Sequence, residues 1–184
     1  PLYSSAASDV YKRQFLRPTD SHPLEEALSA IRDADAVVLG PGSLFTSIIP
    51  NLLVPGIAEA IRSSRALKIY VSNVMTQPGE TRGFTASDHV RAILDHAGPG
   101  LVQYCLVNTQ EVPRRLIAKY ADQGAEPVLP DLGGLARQGV EGIGERLITE
   151  NDLVRHNPEK LAEAVVRLLI RSHRAPDTWP WEIY

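Results

Sequence analysis

The chain contains one cysteine and one methionine in 184 residues. A lone Cys105 cannot close an internal disulfide, which argues against a stapled secreted scaffold and for a reducing, cytoplasmic setting. Its neighbours in "LVQYCLVN" are apolar, so it reads as a small core residue rather than a nucleophile. CxxC, HExxH and other metal-ligand spacings are missing, and no metal site is expected. No apolar run approaches the ~20 residues of a membrane-spanning helix. Neither sign of charge dominates: 19 Lys and Arg face 22 Asp and Glu, a net charge of -3. That balance gives no general attraction to nucleic acid or to an anionic membrane. No Ser/His/Asp or Cys/His set and no carboxylate pair stands out, so no catalytic residue is assigned.

What is present is an ordinary globular composition, 43% hydrophobic and 22% charged, at a length that suits one domain with a sizeable core. The opening "PLYSSAASDVYKRQ" has neither an apolar signal core nor an amphipathic face, and no initiating methionine. It resembles translated sequencing-adaptor read-through, so residues 1–14 are set aside and the chain is expected to be the C-terminal part of a longer protein. Residues 15–172 then form the domain. The tail 173–184 carries Trp179 and Trp181, which either pack on the body or dock a partner.

From Leu24 onward, helical and strand periods alternate. "PLEEALSAIRDA", "VPGIAEAIRSS" and "TASDHVRAILDHAG" read as helices, the last with Thr85 as N-cap, Asp88 three residues on and Gly98 past the end. "VPRRLIAKYADQG" starts at Pro113 and stops near Gly124. "NPEKLAEAVVRLLIRS" is capped by Asn157 and buries Leu161, Ala164, Val165 and Leu168. "DAVVLG", "LKIYVSN" and "LVQYCLVN" read as strands, and "AEPVLP" as a short edge strand. The glycine-rich Asp131–Ile148 reads as a mobile loop or lid. The expected class is α/β: a mostly parallel sheet with helices on both faces.

Ligands in such sheets bind outside the carboxyl ends of the strands, which selects three loops. In "GPGSLFTS", Gly40 and Gly42 would let backbone turn sharply or approach a ligand. Together with the hydroxyls of Ser43, Thr46 and Ser47, the loop would suit a phosphate. A capped glycine turn explains the same residues without a ligand. The stretch is neither GxGxxG nor a Walker loop, whose lysine it lacks. "NVMTQPGETRGFT" crowds Asn73, Thr76, Gln77, Glu80 and Thr81 into a loop long enough to suggest function. His89, at the start of the next helix, reads as structural. Asn108 and Thr109 end the third strand, where an Asx turn or cap is the simpler explanation. Together these residues describe a site for a small, polar, phosphorylated ligand.

"ADAVVLGPGSLFTSIIPNLLVPGIAEAI", "KIYVSNVMTQPGETRGFTASDHVRAI" and "VRHNPEKLA" resemble the YvcK family, the gluconeogenesis factors of the CofD-like superfamily. The resemblance implies a Rossmann-like three-layer αβα fold that binds UDP-N-acetylglucosamine without catalysis and without a cofactor. It also implies a bacterial regulator of peptidoglycan precursor supply and cell shape. It places the ligand at Tyr120, whose ring would pack on a uracil or sugar face, and at Arg155, which would fork onto a diphosphate. The GGGTG-type phosphate loop that opens such proteins is missing from this sequence, consistent with the expected truncation. The competing expectation is a CofD-type, magnesium-dependent transfer of a phospholactate group to a deazaflavin. Against it, the first loop reads "GPGSLFTS", where such enzymes tend to carry Asn-Pro. A homodimer and a protein partner are left open by the sequence.

Overall fold

The alternation of helical and strand periods produces one parallel sheet in the computed structural model, which describes residues 14–17, 21–150 and 154–174. The leading segment through Arg13 and the tail from Ala175, with both tryptophans, lie outside the described residues. In chain order the elements begin with α1 (Glu25–Asp33), β1 (Ala36–Leu39), a π-helical turn (Leu44–Ile48), α2 (Ile49–Leu52) and α3 (Ile57–Ser63). There follow β2 (Leu67–Val71), α4 (Ala86–Ala97), β3 (Tyr104–Asn108), α5 (Arg114–Ala121) and α6 (Leu132–Arg137). The chain continues through β4 (Glu141–Glu145), β5 (Ile148–Glu150), β6 (Val154–His156) and α7 (Pro158–Arg174).

Strands β1 to β4 lie side by side in chain order and every pairing is parallel. Alternate residues of β2 and β3 therefore point to opposite faces. Leu67, Ile69, Val71, Tyr104 and Leu106 face Ala164 and Leu168 of α7. Tyr70, Cys105 and Val107 face a larger cluster containing Leu44, Ile49, Ile61, Val90, Ile93 and Leu135. This is the expected α/β layering, with helices on both faces of the sheet. Cys105 is fully buried, and burial pushes its thiol up to about 12, so it is inert at neutral pH. Among the described residues no single helix is long and apolar enough to cross a membrane.

The local signals read from sequence are physically present. Thr85 accepts from the Asp88 N–H while the Asp88 carboxylate accepts from the Thr85 N–H, a reciprocal capping box that fixes the start of α4. Asn157 caps α7 by accepting from the Lys160 N–H at 3.0 Å.

Two expectations need correction. Asp131–Ile148 is not a lid: it contains α6 and β4, and β4 pairs with β3 from Tyr104↔Glu141 to Asn108↔Glu145. Its glycines serve close packing. A Cβ on Gly142 would come within 2.7 Å of Leu132 and 2.9 Å of Leu135, and one on Gly144 within 2.7 Å of the Thr109 methyl. "AEPVLP" is not a strand of the sheet but forms one isolated antiparallel bridge, Met75↔Pro127. Pro127 and Pro130 lack the N–H groups a ladder needs. Instead Thr76 N–H donates to Glu126 O (2.7 Å) and Val128 N–H to Val74 O (2.9 Å), clamping the loop after β2.

Candidate ligand-binding cleft

The chain leaves β1 at Leu39 and β2 at Val71, and the two loops that follow meet beyond the carboxyl edge of the sheet. Between them lies a cleft of about 600 Å³. The first loop contributes Pro41, Gly42 and Ser43; the second contributes Asn73, Val74, Met75 and Gln77. Tyr120 from α5 and Val154, Arg155 and His156 from β6 complete the lining. A small apolar cluster of Val74, Val112, Leu116, Ile148 and Val154, against which Tyr120 and Met75 pack, fixes α5 and the β5–β6 hairpin beside the second loop. The Tyr120 hydroxyl accepts from the Val154 N–H at 3.2 Å, so the ring is held against the hairpin that carries Arg155.

The fold brings Gly42, Ser43, Asn73, Gln77, Tyr120 and Arg155 of the sequence-derived candidates into this one lining. The others are placed differently. Thr76 and Thr81 are buried, and their hydroxyls accept backbone N–H groups of Glu126 (3.0 Å) and Gln77 (2.9 Å). Asn108 forms an Asx turn with Gln110 and accepts from the Leu147 N–H at 3.1 Å, tying the end of β3 to the hairpin. Thr46 and Ser47 are exposed beside the cleft, and Glu80 stands behind Ser43.

The two glycines of the first loop have separate roles. Gly40 has φ +88°, and a Cβ there would lie 3.1 Å from Val71 O and 3.3 Å from the Ile48 side chain. Only glycine fits that turn without strain. At Gly42 a Cβ would make only ordinary van der Waals contact, the nearest atom being 3.7 Å away on Ser47. Gly40→Ala should therefore cost about 1–3 kcal/mol of stability, whereas Gly42→Ala should change it by less than about 0.5 kcal/mol. Urea unfolding of the two variants checks this, and equal effects would contradict it.

The electrostatics of the lining are lopsided. Among the described residues of the lining Arg155 is the one permanent cation, and no carboxylate is included. Arg155 is exposed, and its guanidinium makes no ion pair among the described residues. His156 was not selected from sequence: nothing in its spacing marks it, since it sits between Arg155 and the Asn157 cap. Its Nε2 lies 3.1 Å from Ser72 O, which fixes the imidazole against the end of β2. Burial lowers its pKa from 6.5, partly offset by that hydrogen bond.

His89, expected to be structural, is fully buried, with Nδ1 2.8 Å from Thr85 O and its ring against Phe84 and Tyr70. Its Nε2 is buried with no partner among the described residues, and burial likewise lowers its pKa from 6.5. For both histidines the unfolded chain binds its proton at higher pH than the folded chain. Stability should therefore be flat above about pH 7.5 and fall as pH drops through 6.5 toward the lowered folded values. Chemical denaturation between pH 8 and 5.5 measures this; a midpoint that rises on acidification would contradict it.

Comparison with known proteins matches this geometry to a family. The model described as "2-phospho-L-lactate transferase CofD" matches residues 3–148, beginning inside the leading segment that the sequence reading sets aside. A gluconeogenesis factor from Halalkalibacterium halodurans is 53% identical over 161 residues, 87% of this chain and 50% of the relative. The gluconeogenesis factor of Bacillus subtilis is 46% identical over 159 residues, 86% of this chain and 50% of the relative. A crystal structure of a UPF0052-family protein from Bacillus halodurans superposes with a TM-score of 0.81 at 53% identity, covering 83% of this chain and 49% of that one. The chain thus spans about half the length of the curated relatives it matches. On the family-model match, the identities and the superposition, the chain belongs to the CofD-like superfamily and, within it, to the gluconeogenesis factors.

Proposed function

We propose that this chain carries part of a UDP-N-acetylglucosamine site, and that its protein acts in the bacterial cytoplasm as a non-catalytic regulator of peptidoglycan precursor supply and cell shape. The observation that carries the reading is the cleft at the carboxyl ends of β1 and β2. It combines a glycine-bearing loop, an aromatic ring at Tyr120 and a cation at Arg155 that makes no ion pair among the described residues. Tyr120 offers an apolar face to a base or sugar, and Arg155 offers a planar fork to a diphosphate. The relatives' name, gluconeogenesis factor, supports a role tied to carbon supply.

The family model's description favours a second reading, transfer of a phospholactate group with magnesium and a deazaflavin. The lining has no carboxylate, and among the described residues no group of three or more His, Cys, Asp or Glu gathers anywhere. No step is derived through magnesium.

Isothermal titration of the full-length protein that carries this chain with UDP-N-acetylglucosamine tests the proposal. Saturable binding supports it; no heat at millimolar ligand sinks it. Turnover of a deazaflavin acceptor on addition of magnesium would favour the second reading.

A further inference from the structure

The first loop of the cleft carries a hydroxyl relay. Thr46 Oγ1 donates to Ser43 Oγ at 2.6 Å, and Ser43 Oγ donates to Glu80 Oε2 at 2.6 Å. A serine hydroxyl has one proton and two lone pairs. Here the proton goes to Glu80 and one lone pair is filled by Thr46. Ser43 lines the cleft, so what it can offer a ligand is a single remaining acceptor site.

Gln77 adds to the same character. It lines the cleft, and the Glu80 N–H donates to its carbonyl at 3.1 Å, which places it in the turn that carries Glu80. Its side-chain oxygen is buried without a partner among the described residues. A buried acceptor lacking a donor is costly, and a ligand N–H or O–H would relieve it. A phosphate oxygen is itself an acceptor carrying negative charge. Against Ser43 it would meet a hydroxyl with no proton to give and the Glu80 carboxylate directly behind. Only Arg155, on another element of the lining, offers an anion a permanent positive charge.

From this arrangement we infer that the cleft orients its ligand. The hydroxyl- and N–H-bearing sugar of a nucleoside diphosphate sugar lies against Ser43 and Gln77, and the diphosphate lies at Arg155. Glu80 is a positioning residue: it does not line the cleft, but it sets Ser43 as an acceptor and so selects for a sugar over a bare diphosphate. The inference rests on the nucleotide-sugar reading of the cleft.

In Glu80→Gln the carboxamide can present an N–H to Ser43, releasing the Ser43 proton toward the cleft and erasing the acceptor. The test compares dissociation constants for UDP-N-acetylglucosamine and UDP, measured by calorimetry on the full-length protein that carries this chain as wild type, Glu80→Gln and Ser43→Ala. The wild type should hold the sugar nucleotide more tightly than UDP. Glu80→Gln should weaken the sugar nucleotide about fivefold, the scale of one hydrogen bond, and leave UDP within about twofold. Ser43→Ala should show the same selective loss, and it decides the matter if Glu80→Gln fails to fold. Arg155→Ala should weaken both ligands alike. Equal losses for the two ligands in Glu80→Gln and Ser43→Ala, or an unchanged ratio, would overturn the inference. Full-length wild type that binds UDP and the sugar nucleotide equally would overturn the orientation and leave the nucleotide site standing. Full-length wild type that binds neither would overturn both.

Discussion

Replacing Arg155 with alanine is expected to weaken UDP-N-acetylglucosamine binding by about 1.5–3 kcal/mol, roughly 10- to 150-fold in the dissociation constant. The size follows from what the side chain lacks. It is exposed and, among the described residues, it makes no ion pair and is the only permanent cation in the lining. A diphosphate seated there without it would lose a charge-assisted fork and keep its full charge in a cleft with no other cation. Because the guanidinium makes no ion pair among the described residues, the same substitution should change folding stability by less than about 0.5 kcal/mol. Lysine should recover only part of the affinity, since an ammonium supplies charge but not paired, coplanar donors. Calorimetry for binding and urea unfolding for stability separate the two effects. An Arg155→Ala chain that binds like the wild type would remove Arg155 from the site.

The largest loss of stability is expected from the sheet, on the face covered by α7. Leu106 is fully buried at the centre of β3, in the cluster formed by Ile69, Val71, Ala164 and Leu168. It is flanked by β2 and β4, so neither neighbour can close in without breaking parallel pairing. Leu106→Ala should therefore leave most of its cavity unfilled and cost about 2–5 kcal/mol. The midpoint of urea unfolding should fall with an unchanged slope, the sign that the folded core is altered and the unfolded chain is not. A loss below about 1 kcal/mol would mean that this face repacks far more readily than its burial suggests.

Much of the fold was readable because its signals are local. Periodicity marked the helices, β-branched runs marked β1 to β3, and hydroxyl and amide caps at Thr85 and Asn157 marked where helices begin. Asp131–Ile148 was misread because glycine has two physical uses that look alike in sequence. At Gly142 and Gly144 the missing Cβ makes room for Leu132, Leu135 and Thr109, and the chain there is an ordered strand. "AEPVLP" was misread because β-forming residues outvoted its prolines. The bridge it makes joins the loop after β2, a long-range partner that no local pattern announces.

The cleft was legible to a lesser degree. The rule that ligands gather at the carboxyl ends of strands pointed to three loops, two of which line the cleft. It could not separate polar side chains that face the cleft from those that hold backbone. Thr76, Thr81 and Asn108 look as functional in sequence as Ser43 and Gln77, yet their polar atoms are committed to Glu126, Gln77, Gln110 and Leu147. Tyr120 and Arg155 were singled out only through family resemblance. Their meeting depends on α5 docking against the β5–β6 hairpin, which the sequence did not reveal.

One location is decisive, and a two-dimensional ¹H–¹⁵N NMR titration of the full-length protein that carries this chain with UDP-N-acetylglucosamine tests it most directly. Saturable shift changes should gather at Gly42, Ser43, Asn73 to Gln77, Tyr120 and Val154 to His156. The groove of about 400 Å³ between β4 and α7, lined by Ile143, Leu168 and Arg171, should stay unperturbed. Changes gathered at that groove, or none at millimolar ligand, would contradict the account.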